Sequence, residues 1–189
     1  MKRRSFFILI LHGVCSTIMA QTLTMSNPVF WVKYDCRLQI PTEVRWTVKS
    51  ANLGSSQREP SWKFRSDVPA PFGRASHKSY IGSGYDRGHM APASDFARPV
   101  SLCRETFRMS NICPQVPALN RGAWKKTEDR ERAIARTNDS CRVLAIPLIL
   151  KEDTTWIGRN LIAVPDGFLK MIYNINPDTI YNVYFLWNK

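Results

Sequence analysis

The sequence predicts an α+β domain organised on an antiparallel sheet, and three observations carry that expectation. Glu43-Val44-Arg45-Trp46-Thr47-Val48 alternates, with Val44, Trp46 and Val48 on one face, as a half-buried strand requires. Toward the C-terminus, short apolar or alternating runs at 141–149, 156–164, 168–173 and 180–187 are broken by Pro147, Pro165, Gly167 and Pro177 and read as further strands. Between these regions, residues 117–136 are strongly helical by composition after their first few positions.

In chain order, residues 1–20 have the build of a secretory leader. Lys2, Arg3 and Arg4 precede the apolar run Phe6-Phe7-Ile8-Leu9-Ile10-Leu11, and the small-residue patch from Ser16 to Ala20 suits cleavage after Ala20. The apolar run is too short to span a bilayer comfortably and is interrupted by His12 and Gly13, which argues against an uncleaved anchor. Residues 21–189 then form one domain's length with no other transmembrane-like stretch. The expectation is an exported protein, periplasmic or extracellular, without stable membrane association.

The chain has 27 Lys+Arg against 15 Asp+Glu, and loss of the three leader bases still leaves a surplus of 9. A surplus of that size favours a polyanionic partner such as nucleic acid or an anionic membrane face. Cys36, Cys103, Cys113 and Cys141 lie beyond the leader. An even number in an exported chain predicts two disulfides, with three pairings open. Zinc is disfavoured because no pair of cysteines has the spacing of a metal knuckle and His77 and His89 do not form a ligand pair. An oxidising compartment likewise argues against a catalytic cysteine.

Phe30-Trp31-Val32-Lys33-Tyr34 and residues 43–48 predict two strands joined by a turn containing Pro41. Residues 50–84, rich in Ser, Pro, Gly and Arg, predict a long irregular connection of the kind that is often functional. Its bases Arg58, Lys63, Arg65, Arg74 and Lys78 suit either a phosphate-lining groove or a solvated loop. Residues 101–107 suit a short helix, and Arg108-Met109-Ser110-Asn111-Ile112-Cys113 suits a strand stopped by Pro114. Within the helical segment, Asn120, Trp124, Glu128 and Arg132 stand four apart and fall on one drifting face. An ion pair on an exposed helix would explain Glu128 and Arg132. Asn120, at the helix entrance, is explained only as far as a simple cap goes.

Of the three histidines, His12 falls in the leader and His77 in a polar run, 74–80, that reads as loop. His89 stands in Tyr85-Asp86-Arg87-Gly88-His89-Met90-Ala91-Pro92-Ala93-Ser94-Asp95-Phe96. A neutral imidazole is suited to taking a proton from water near neutral pH. Arg87 shares a face with His89 if the segment is extended, and its planar fork suits a phosphate. Gly88 between them admits a close backbone approach.

Three motifs stand in order: Gly82-Ser83-Gly84-Tyr85-Asp86-Arg87-Gly88-His89, then Thr106-Phe107-Arg108-Met109-Ser110-Asn111-Ile112-Cys113-Pro114-Gln115, then Leu119-Asn120-Arg121-Gly122-Ala123-Trp124 with Glu128 and Arg132. This arrangement resembles the DNA/RNA non-specific endonucleases of the ββα-metal (His-Me finger) class, from about residue 82 to 132 and more weakly through 162–170. The resemblance implies a ββα-metal finger carrying the active site on a mixed or antiparallel sheet core. It implies His89 as general base, Asn120 as the direct ligand of a single Mg²⁺ (Mn²⁺ being the alternative), and Glu128 holding the metal's waters. Arg87 and Arg132 would contact phosphate, Asn111 would help shape the site, and Asp86 would brace the strand that bears His89. DNA and RNA would both be held through phosphates and cut to 5′-phosphate ends. A further upstream phosphate-binding arginine would be Arg58 in preference to Arg65. Ala145-Ile146-Pro147-Leu148 departs from the family's later Gly-Pro-containing strand. The rival reading is a basic nucleic-acid-binding protein on a decayed nuclease scaffold. The joint presence of His89, Asn120 and Glu128 argues against it, since a binder needs only positive charge.

Overall fold

Alternation of apolar residues builds the sheet from its first strands. In the computed structural model, which describes residues 22–54, 62–175 and 178–189, β1 (Thr22–Ser26), β2 (Phe30–Asp35) and β3 (Ile40–Lys49) form an antiparallel meander. The expected leader and Arg58 lie outside the described residues. Val44, Trp46 and Val48 are buried as their spacing predicts. The turn between β2 and β3 does not contain Pro41, which sits within β3 opposite Tyr34 beside a register shift. Asp35 makes the turn instead, its Oδ1 accepting from the amides of Arg37 and Leu38, each at 2.8 Å.

The long connection ends at β4 (Asp86–His89), followed by the short helix α1 (Val100–Glu105) and β5 (Ile112–Gln115). Residues 109–111 form a 3₁₀ turn where a strand was expected, and Pro114 lies inside β5 instead of stopping it. Among the described residues β5 pairs only with β4, in a separate two-stranded sheet, so its other edge has no ladder bond there for a proline to break. A π-helical turn (Leu119–Trp124) then leads directly into α2 (Lys125–Asn138). β4, β5 and α2 together are the expected ββα finger.

The rest of the chain completes the sheet. β6 (Ser140–Leu148), a small hairpin of β7 (Trp156–Ile157) with β8 (Ile162–Ala163), β9 (Gly167–Ile175) and β10 (Asp178–Trp187) follow in order. The six-stranded sheet has the order β1-β2-β3-β6-β9-β10 with every neighbour antiparallel, so the protein is α+β as predicted. Pro147 is tolerated in β6 because pairing with β3 ends at Ala145. Buried residues of β3, β6 and β9, among them Val44, Val143 and Phe168, join Ile134 and Ala135 of α2 in one core. Each large apolar side chain so buried contributes roughly 1.5–3 kcal/mol.

The expected disulfides are not formed: Cys36, Cys103, Cys113 and Cys141 are buried as thiols in separate elements. Cys113 faces Gly88 across the β4–β5 pair, and Cys141 Sγ donates to the Glu131 carbonyl at 3.4 Å. Burial pushes the Cys113 thiol well up and that of Cys141 up to about 12, which keeps both unreactive. Among the described residues, no helix is long and apolar enough to cross a membrane.

Candidate active site

β4 presents its residues as a strand must. Arg87 and His89 face one way, into a groove of about 730 Å³, while Gly88 faces the other. Gly88 is required there because a Cβ would collide with the buried side chain of Gln115. The His89 ring packs edge-on against Phe107 at 5.0 Å between centroids and against Phe64 at 5.3 Å. Its backbone carbonyl accepts from Trp124 Nε1 at 3.1 Å, which fixes the end of β4 to the helical arm. The Arg87 guanidinium lies over Phe64 and Tyr80, with Nη2 3.5 Å from His77 Nδ1. His77 therefore adjoins the site by way of Arg87, although it does not line the groove itself.

Asn120 enters the groove from the π-helical turn, a local widening of the helix that recurs at functional sites. Its Nδ2 donates to Asp86 Oδ2 at 2.9 Å. Arg121 grips the same carboxylate twice, at 2.9 and 2.8 Å, and these bonds, seconded by Asn120, hold Asp86 below the ordinary carboxylate range. Asp86 therefore braces β4, as expected, and also orients the Asn120 amide so that Oδ1 is left as its acceptor. Glu128, two turns along, lines the same groove, and burial pushes its carboxyl up to about 7. Arg132 follows one turn later. It is nearly buried, its Nη1 donating to Asp95 at 3.0 Å and its Nη2 to Asp129 at 2.6 Å.

His89, Arg87, Asn120, Glu128 and Arg132 thus share one groove. Asn111 does not reach it. Fully buried, it donates through Nδ2 to the carbonyls of Ala91 and Thr106 and accepts the Ala91 amide, each at 2.9 Å. It holds the loop after His89 in place and has no polar atom left to offer a substrate. Arg65 is also elsewhere, bonded to Glu105 and the Arg104 carbonyl, each at 3.2 Å. Trp124, which shares the four-residue spacing with Asn120 and Glu128, is turned into the core.

A divalent cation fits this donor set. Asn120 and Glu128 bring an amide oxygen and a carboxylate into the same groove, the oxygen donors that a hard divalent ion takes while keeping most of its waters. The oriented Oδ1 of Asn120 would be its direct ligand. Glu128, whose carboxyl faces the same groove, would hold its waters.

The family model described as DNA/RNA non-specific endonuclease matches residues 15–189. The chain belongs to that family. Its members are metal-dependent nucleases. Similar relatives include mitochondrial endonuclease G of Bos taurus, 37% identical over 108 residues, covering 52% of this chain and 36% of the relative. A nuclease of Nostoc sp. is 35% identical, covering 55% of this chain and 38% of its own. Mitochondrial nuclease EXOG of Mus musculus is 33% identical, covering 75% of this chain and 41% of its own. The matched part of the chain therefore spans well under half the length of each relative. A crystal structure of an EndoG/EndoGI complex superposes with a TM-score of 0.78 at 29% identity, covering 88% of this chain and 74% of that one.

Several residues of this groove carried little signal in the sequence. Phe64, Arg121, Lys125, Asp129 and Arg136 also line it, but in a chain rich in bases nothing singles them out. Lys170 was better marked. It sits between Phe168 and Ile172 on an alternating run, an inward position where a lysine requires a buried partner.

Proposed function

We propose that this chain is an exported endonuclease, dependent on Mg²⁺ or Mn²⁺, that hydrolyses phosphodiester bonds of DNA and RNA without reading base or sugar. The observation that carries the reading is the convergence of His89, Arg87, Asn120, Glu128 and Arg132 on one groove from a strand and the helical arm that follows it. The leader-like residues 1–20 support the export.

His89 acts as general base, drawing a proton from the water that attacks phosphorus. Phe107 packs edge-on against its imidazole and Phe64 at a tilt, and the two rings restrict its rotation. Arg87 from β4 and Arg132 from α2 both line the groove and stabilise the negative charge that builds on the phosphoryl oxygens. A cation held by Asn120 and Glu128 would supply Lewis-acid stabilisation of the charge that builds at the phosphate, and the proposed scission frees the 3′ oxygen and leaves the phosphate on the 5′ side. Asp86 keeps Asn120 oriented throughout. These contacts are to phosphate, so neither base edges nor the 2′-hydroxyl is read.

Supercoiled plasmid and a structured RNA, each incubated with Mg²⁺ and with EDTA, test the reading. Both should be cut only with the cation present, leaving ends that a ligase accepts without prior phosphorylation. Cutting unaffected by EDTA, or binding without cutting, would overturn it.

A further inference from the structure

Behind the groove wall lies a cluster of charges shut off from water. Lys170 of β9 and Glu131 of α2 are both fully buried, with Nζ 2.8 Å from Oε2. The Lys170 ammonium also lies 4.5 Å from the ring centre of Trp124 and 5.4 Å from that of Trp46. Glu131 faces Asp95, which is fully buried as well. Asp95 Oδ2 accepts from Trp46 Nε1 at 2.9 Å, while Oδ1 accepts from Arg132 Nη1 at 3.0 Å. Of the four charged residues, only Arg132 lines the groove.

Stability does not account for this arrangement. Buried ion pairs gain little over apolar side chains of the same volume, and breaking one by removing a single partner is costly. What the cluster does provide is direction. An arginine on an exposed helix would sweep many rotamers, whereas this guanidinium is held at Nη1 by a carboxylate that itself cannot turn. Trp46 on the central sheet fixes one oxygen of Asp95, and the Glu131–Lys170 pair closes the side behind it. Asp95 also lies six positions after His89, so the same carboxylate ties the loop leaving β4 to the helix that carries Glu128 and Arg132.

We propose that Asp95 is the positioning residue for Arg132, aiming its remaining N–H donors into the groove, with Trp46, Glu131 and Lys170 forming the frame that keeps Asp95 fixed. The inference rests on Arg132 contacting phosphate, as read above. Asp95 touches neither substrate nor metal in this account, and acts only through the guanidinium.

The test is a double-mutant cycle of Asp95→Asn with Arg132→Ala, read in two ways. The first is affinity for a labelled duplex oligonucleotide in EDTA across a salt series. The second is kcat and KM with Mg²⁺. Asp95→Asn should lower kcat by about tenfold or more and reduce the slope of log affinity against log salt by about 0.9, one phosphate contact. In the Arg132→Ala background the same substitution should change neither quantity, because the group it positions is gone. Trp46→Phe, which removes the indole donor to Asp95 while keeping an aromatic ring in the core beside Lys170, should show a weaker effect of the same kind, also abolished by Arg132→Ala. It serves if Asp95→Asn fails to fold. Effects that add in the double variants, or a salt slope that Asp95→Asn leaves unchanged, would overturn the inference. Wild-type protein that neither cuts nor binds with salt dependence would instead sink the nuclease reading on which it rests.

Discussion

Raising the pH should weaken the metal-free protein, and Glu128 sets the size of the effect. Its carboxyl is held at about 7 in the folded chain, against an ordinary value of 4.5. The folded state therefore binds a proton there more tightly than the unfolded state. That contribution to stability is fully present below about pH 4.5 and is lost as the pH rises through about 7, above which the folded chain carries a desolvated carboxylate. A gap of about 2.5 pH units corresponds to about 3 kcal/mol. Urea denaturation in EDTA between about pH 5 and 8, on the wild type and on Glu128→Gln, isolates the effect, because glutamine keeps the shape and cannot titrate. The wild type should lose about 3 kcal/mol relative to the variant across that window. Excess Mg²⁺ at the upper end should restore much of the loss to the wild type and little to the variant. A stability difference between the two that stays flat with pH would refute the reasoning.

Two further outcomes follow from the bracing of the site. Asp86→Asn keeps the side-chain volume but loses the charge that grips Asn120 and Arg121, so Mg²⁺ affinity measured by calorimetry should fall about 10- to 100-fold while the fold survives; unchanged affinity would remove Asp86 from the metal site. Gly88→Ala should be destabilised by about 1–3 kcal/mol in thermal or chemical denaturation, because its Cβ meets the buried Gln115 side chain; a neutral outcome would mean that Gln115 moves aside freely.

How much of this was legible in the sequence depended on whether the signal was local. The alternation of Val44, Trp46 and Val48 fixed a strand and its inward face, because period-two patterning is a property of a few consecutive residues. The motif around His89 likewise put the imidazole, the arginine and the glycine on one extended segment, and β4 has all three. Proline misled twice, at Pro41 and Pro114, since its compatibility with a strand depends on whether a neighbour pairs on that edge. The four-residue spacing put Trp124 on the same face as Asn120 and Glu128, but the π-helical turn shifts the register and Trp124 goes to the core. β1, Thr22-Leu23-Thr24-Met25-Ser26, alternates as well, but its period-two signal is only five residues long, and it was not among the strands expected. The disulfides were inferred from parity and compartment, neither of which says where a thiol ends up. Asn111 was expected by resemblance to help shape the site; it does not line the groove, and its side chain instead satisfies backbone groups of the loop after His89, which only the folded chain brings near it. The charge cluster joining Asp95, Glu131, Arg132 and Lys170 is long-range by construction, and local patterning cannot assemble it.

The central claim is that one imidazole, sharing a groove with the amide proposed to bind the cation, performs the proton transfer. Its most direct test measures turnover and affinity together for His89→Ala, with cleavage of a defined oligonucleotide in Mg²⁺ and binding of the same oligonucleotide in EDTA. Loss of a general base predicts a fall in turnover of at least about a hundredfold with affinity nearly intact. Substantial residual turnover, or a collapse of affinity to match the loss of rate, would contradict the assignment.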